Sequence, residues 1–211
     1  MVKALVIVDM QNDFMPGGAL GVPEADQIVP AINQLSSQFP LVVATQDWHP
    51  QDHCSFATSH PGKKPGDVVQ IKEMEQILWP VHCVRATKGA ELIDTLNKEA
   101  IASCFYKGTD RWIDSYSAFF DNARRKSTGL SDYLKTRNVS HIYIAGVATE
   151  YCVLYSSFDA VDIGYSVVVI SDLCRPINLQ PNDEKKAYEA MAAKGVMIQT
   201  SAEVLASLRS K

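Results

Sequence analysis

The sequence predicts one α/β domain built on a parallel sheet, and three observations carry that reading. Short, continuous apolar runs rich in β-branched residues recur along the chain, such as VKALVIV at 2–8 and YSVVVI at 165–170, as expected for strands covered on both faces. Stretches with helical spacing separate them, and a strand–helix–strand order implies right-handed crossovers between parallel strands. Charged or nucleophilic residues stand at the ends of several runs, where α/β sheets bind ligands. The 211 residues, 46% hydrophobic, suffice for one sizeable core, and no biased linker divides them, so residues 1–211 read as a single domain.

Val2–Val8 is the first strand and stops at Asp9. That carboxylate either caps the turn that follows or does chemistry, and the strand alone leaves both readings open. Phe14 lies in a Pro-Gly-Gly loop without periodicity. Ile28, Ile32, Leu35 and Phe39 keep helical spacing, with Pro30 confined to the opening turn. A second strand, 40–45, leads to Asp47. The segment 46–89 is long, Pro- and His-rich and poor in periodicity, the kind of loop that carries function. Leu92, Ile93 and Leu96 predict a short helix. The third strand, 101–106, delivers Lys107 and a turn at Gly108. The loop 109–127 contains Trp112, Tyr116, Phe119 and Phe120, aromatics that either wall a pocket or pack on the sheet.

Leu130 and Leu134 mark the next helix, and Ile142, Ile144 and Val147 the fourth strand. Gly146–Thr149 is then a strand-to-helix turn. With Thr149 as N-cap, Cys152 falls in the first helical turn, where unpaired backbone N–H groups and the helix dipole favour a thiolate. Gly164 predicts a helix C-cap, 165–170 the fifth strand, and Asp172 and Arg175 turn and surface charges. Asn182 or Asp183 caps a helix through Lys194 that ends at Gly195. A sixth short strand, 196–199, and a terminal helix capped by Ser201 complete the chain.

Composition bounds the partners. A formal net charge of −4 and a pI near 5.7, without a Lys/Arg-rich run, disfavour nucleic acid and anionic membranes. No targeting segment and no stretch long enough to span a bilayer is evident. Five cysteines, an odd number, argue for free thiols in a reducing cytoplasm. There is no internal repeat and no glycine-rich phosphate loop.

Strands one, three and four therefore present an acid (Asp9), a base (Lys107) and a thiol (Cys152), a set able to run acyl transfer at one sheet edge. In the loop after strand two, Asp47 and His49 stand two apart and point the same way in extended chain, with His82 and His53 available to complete a ligand set. Four of the five histidines, His49, His53, His60 and His82, fall in this loop. One carboxylate with two or three imidazoles suits zinc, iron(II) or manganese(II) with open positions. Cys54 and Cys83, each next to a candidate histidine, leave a closed Cys₂His₂ structural zinc as a rival, although the usual paired spacing is missing.

The segments IVDMQNDFMPGGAL, TQDWHPQDHCSFA, WPVHCV, FYKGTD and GVATEYCV resemble, in the same order, the nicotinamidase/pyrazinamidase branch of the isochorismatase-like cysteine hydrolases. The resemblance covers nearly the whole chain. It implies a Rossmann-like three-layer fold with a six-stranded parallel sheet of order 3-2-1-4-5-6 and helices on both faces. It implies hydrolysis of nicotinamide to nicotinate and ammonia in NAD salvage, with pyrazinamide as an alternative substrate. By position, Asp9, Lys107 and Cys152 match the catalytic triad, and Asp47, His49 and His82 the ligands of one divalent metal, zinc foremost, with His53 a fourth ligand in some members. Phe14 and Trp79 match the aromatics that sandwich the pyridine ring, with Tyr116 beside them. Val147–Ala148 matches a cis peptide that aims the N–H groups of Ala148 and Cys152 at an oxyanion. The rival readings are an amidase of the same superfamily acting on a ureido or carbamoyl substrate, and a non-catalytic zinc-binding relative. Neither monomer nor homo-oligomer is favoured.

Overall fold

The computed structural model describes residues 2–209. Among the described residues eight strands form: β1 Val2–Val8, β2 Val42–Asp47, β3 Val68–Ile71, β4 Met74–Ile77, β5 Ser103–Lys107, β6 Val139–Val147, β7 Ser166–Arg175 and β8 Met197–Gln199. Six of them make one parallel sheet in the order β5-β2-β1-β6-β7-β8, and β3 and β4 form a separate antiparallel hairpin. Numbered within the sheet, this is the expected order 3-2-1-4-5-6. The helices are α1 Val29–Ser36, α2 Leu130–Lys135, α3 Leu154–Ile163, α4 Asp183–Ala193 and α5 Ser201–Arg209.

The alternation of side chains along a strand decides which helix covers which face. Leu5 and Ile7 of β1 pack with Ile32 and Leu35 of α1 and Val204 of α5. Ala4, Val6 and Val8 face the other way, onto Leu130 and Leu134 of α2, Ala160 of α3 and Met191 of α4. Residues 4–8 are all almost wholly buried, which is why the strand reads as an unbroken apolar run. No described helix is long and apolar enough to cross a membrane.

Register sets up the rim. Val8 lies opposite Gly146 and Asp47 opposite Lys107, so the strand ends that carry Asp9, Asp47, Lys107 and the turn to Cys152 finish side by side. Gly146 has φ +124°, and a Cβ there would lie 2.1 Å from the Val8 carbonyl oxygen, so only glycine lets β6 run this close to β1.

Four local expectations are corrected. Leu92, Ile93 and Leu96 are buried, yet 91–97 is not helical. Leu92 bridges Gln11, and the Ile93 N–H donates to the Met10 carbonyl, so the segment pairs with the loop after β1. The terminal helix is capped from Thr200: its Oγ1 accepts the Glu203 N–H, and the Glu203 carboxylate accepts the Thr200 N–H, a reciprocal box. Ser201 instead bonds Asp172 through its amide and hydroxyl, which makes Asp172 an anchor of α5. Finally, the hairpin β3–β4 sits inside the segment read as aperiodic. Its turn passes through Lys72 at φ +55°, without the Gly or Asn that usually marks one.

Candidate active site

Asp9 is the first residue beyond β1 and adopts a left-handed backbone, φ +53°, a conformation that Asp tolerates better than most residues. It is fully buried. Its Oδ1 accepts the Thr45 hydroxyl at 2.7 Å, and its Oδ2 lies 2.8 Å from the Lys107 ammonium. Lys107 Nζ also pairs with Asp47, donates to the Ser115 carbonyl at 3.2 Å and lies 3.3 Å from Cys152 Sγ. One buried cation thus joins both carboxylates and the thiol. Burial opposes its charge, but Asp47 and Asp9 hold its pKa well above the ordinary lysine value.

The carboxylates respond in opposite directions. Burial raises the Asp9 pKa, against the pull of Lys107 and with the push of the Asp47 charge. Burial opposes the Asp47 charge too, yet Lys107 and His49 keep that carboxyl well below the usual range. Asp9 is therefore the better proton acceptor in waiting, while Asp47 stays a fixed anion.

Cys152 departs from expectation. The turn after β6 is a π-helical turn, Thr149–Val153, entered through a cis Val147–Ala148 peptide, and the Tyr151 and Val153 N–H groups both bond the Ala148 carbonyl. Ala148 occupies the N-cap position and Thr149 makes no side-chain cap. Burial drives the Cys152 thiol well above its ordinary pKa, opposed by Lys107, so the resting group is a thiol with a base beside it.

On the other side of Asp47 two imidazoles converge. His49 Nδ1 is paired with the Gly108 carbonyl at 2.9 Å and His82 Nδ1 with the Pro80 carbonyl at 2.8 Å, which leaves both Nε2 atoms facing Asp47 Oδ2 at 3.5 and 3.6 Å. Each ring is oriented by a backbone carbonyl, as metal-bound histidines usually are. The Asp47 oxygen and the two nitrogens lie within 4.8 Å of one another, all buried, a donor set that suits zinc, iron or manganese. His53 groups instead with His49 and Asp114; its Nδ1 lies 2.7 Å from the Ser55 hydroxyl. Cys54 and Cys83 join none of these groups, so the described residues give the closed Cys₂His₂ arrangement no support.

A cavity lined by Cys152, Asp47, His49 and His82 connects the thiol to the histidines. Phe14 and Trp79 line it, as does Tyr116, whose hydroxyl accepts the Trp79 indole N–H at 3.3 Å. Phe14 also lies against His82, with ring centroids 5.5 Å apart. Ala148 reaches the cavity, whereas the Val147 side chain is wholly buried in the sheet. Leu20, Asp114 and Ile177 line it without having been singled out from sequence, since each sits in a loop whose spacing says nothing about direction. Gln11 was also missed: it accepts the Asp47 N–H and donates to the Asp47 carbonyl, both at 2.8 Å, and so clamps that peptide from both sides.

The sequence pattern of the isochorismatase domain matches residues 3–203. The chain belongs to the isochorismatase family. Within it, a nicotinamidase of Escherichia coli is 45% identical over 205 residues, covering 95% of this chain and 96% of its own length. A nicotinamidase/pyrazinamidase structure from Acinetobacter baumanii superposes with a TM-score of 0.93 at 43% identity, covering 96% of this chain and 97% of that one. A Pyrococcus horikoshii pyrazinamidase solved in complex with zinc is 38% identical with a TM-score of 0.77, covering 95% and 99%.

Proposed function

We propose that this member of the isochorismatase family is a nicotinamidase that hydrolyses nicotinamide to nicotinate and ammonia, and pyrazinamide likewise, supplying nicotinate for NAD salvage. The observation that carries the reading is one cavity lined by Cys152, which Lys107 and Asp9 back from the buried side, and by Asp47, His49 and His82, with Phe14, Trp79 and Tyr116 completing its lining. A planar aromatic carboxamide suits that order of groups. The reading takes residues 1–211 as one catalytic domain and 46–89 as its metal-binding insertion. Its five free thiols suit a reducing cytoplasm.

Asp47, His49 and His82 would hold the divalent metal, zinc by preference with iron or manganese as alternatives, and His53 is near enough to His49 to adjust that set. When bound, the metal offers an electrophilic position for a ring nitrogen, which orients the substrate. Asp9 takes the Cys152 proton as Sγ attacks the carboxamide carbon, and Lys107 stabilises the developing anions. The Ala148 and Cys152 N–H groups serve the carbonyl oxygen. Asp9 returns the proton to the departing ammonia, leaving a thioester on Cys152. Asp9 then deprotonates a water, whose attack on the thioester carbon releases nicotinate and restores the thiol.

Ammonia release from nicotinamide tests this directly. Activity that falls with a chelator, returns with a divalent ion and is lost in Cys152→Ala supports it. No release from nicotinamide with zinc, iron(II) or manganese(II) present, together with turnover of ureido or carbamoyl compounds, would replace it with the rival amidase reading. A Cys152 that resists alkylation at every pH where a thiolate forms would favour the non-catalytic one.

A further inference from the structure

Glu150 stands two residues before Cys152 and points away from the reacting groups, yet it is buried. Its Oε1 accepts the Ile177 N–H at 2.9 Å and the Asn178 N–H at 2.5 Å, and Oε2 shares the Ile177 N–H at 3.2 Å. These two amides begin the strap that runs from the end of β7 to the start of α4, a stretch broken by Pro176 and Pro181. Proline withholds backbone donors, so the strap has few ladder bonds of its own. Besides the Asp183 N–H to the Gln180 carbonyl at 3.3 Å, side chains hold it: the Asn178 amide oxygen accepts the Glu184 N–H at 3.0 Å, and Asp183 accepts the Gln180 N–H at 2.8 Å. Those bonds tie the strap to α4. Glu150 ties it to the nucleophile's own turn.

Ile177, held by that carboxylate, lines the substrate cavity together with Leu20, Ala148 and Tyr151. The β6–β7 pairing ends at Val147 and Arg175, and beyond it the Glu150 carboxylate holds this wall to the nucleophile's turn. We propose that Glu150 is a positioning residue for substrate binding, which seats Ile177 against the bound ring by accepting the Ile177 and Asn178 amides. The inference rests on the nicotinamidase reading. Removing Glu150 leaves two amides without their acceptor and lets the strap relax outward, weakening contacts made equally in ground and transition states. The loss then falls on KM, with kcat nearly unchanged.

The test is steady-state ammonia release by the metal-loaded protein, with Tm recorded for each variant. Glu150→Ala is expected to raise KM for nicotinamide about tenfold, equivalent to about 1.4 kcal/mol, with kcat within about threefold. Glu150→Gln restores KM to within about threefold of wild type, because a single carbonyl oxygen can take both N–H bonds that Oε1 takes. Ile177→Ala leaves the carboxylate in place and still raises KM about tenfold. The double variant is no worse than either single change, since both act through the same side chain. An unchanged KM in Ile177→Ala, an additive double variant, or a loss confined to kcat would overturn the proposal. Wild-type protein inactive on nicotinamide overturns the function reading itself, and the positioning proposal with it. Wild-type turnover with unaffected variants overturns the positioning proposal alone. Should Glu150→Ala fail to fold, Glu150→Gln and Ile177→Ala still decide the matter.

Discussion

The cavity has two kinds of wall, built in different ways. The reactive wall shows Asp47 and Cys152 to the cavity, backed by buried Asp9 and Lys107. Asp9, Asp47 and Lys107 stand at or next to strand ends, Cys152 in the turn after β6, and the Lys107 ammonium reaches both carboxylates and the thiol. The recognition wall consists of Phe14, Leu20, Trp79, Tyr116 and Ile177, all carried on loops and held mainly by ring contacts and isolated hydrogen bonds. Strand ends fix a side chain through the whole sheet, whereas loops place it through a few local bonds. Chemistry that tolerates little displacement sits on the first, and fit to the substrate on the second. Changes to the reactive wall should therefore act on kcat or on folding, and changes to the recognition wall on KM.

The largest effect should come from Cys152→Ala, which is expected to lower kcat at least about 10⁴-fold while the folded protein still binds nicotinamide, measurable by calorimetry. The acid limb of kcat/KM in the wild type should lie above the usual carboxylate value of 3.8, because Asp9 must be ionised to take the thiol proton and burial raises its pKa. A limb at or below 3.8 would mean that Asp9 is not the base. Lys107→Met probes the same wall as structure. It leaves Asp9 and Asp47 facing one another in a buried site without their cation, and about 3–5 kcal/mol of stability should be lost by denaturant titration. A loss below about 1 kcal/mol would show that the strand ends need no internal cation.

The histidines between the two walls give a pH test. Burial, reinforced by the neighbouring His49, lowers the His53 pKa from 6.5 to about 4. Between those values the unfolded chain binds a proton that the folded one refuses, so stability is complete above about 6.5 and declines as pH falls toward about 4. The difference of 2.5 units corresponds to roughly 3 kcal/mol at most. Metal-free protein should show this decline, and His53→Gln should flatten it; an unchanged slope would place the titration elsewhere. The smallest of these effects belongs to the recognition wall. Trp79→Ala should raise KM about 10- to 30-fold with kcat within a few-fold. A loss falling mainly on kcat would erase the distinction between the walls.

The same distinction explains what the sequence revealed. Asp9, Asp47 and Lys107 were legible because each ends an apolar run, and such a run fixes both the strand and the edge where it finishes. Cys152 was legible for the same reason, but its surroundings were not. The π turn and the depth of burial come from packing between β6, α3 and α4, which spacing does not encode. Leu20 and Ile177 face the cavity from segments with no periodicity. The apolar triplet Leu92, Ile93 and Leu96 satisfied a helical pattern while the chain was claimed by Gln11 and Met10, a tertiary override of local preference. The hairpin β3–β4 turned on a lysine in a left-handed conformation and so gave no warning.

Gly108 shows how narrow the tolerance is on the metal side. Its carbonyl orients His49, and a Cβ in its place would lie 2.3 Å from the His49 ring. On the proposed function, a substitution at this position would disturb the candidate metal set while every candidate ligand, triad residue and substrate contact kept its identity. Variant interpretation that scores only the residues touching metal or substrate would pass such a chain as functional. On that reading, the absence of one methyl group beside His49 is as much a part of the site as the imidazole itself.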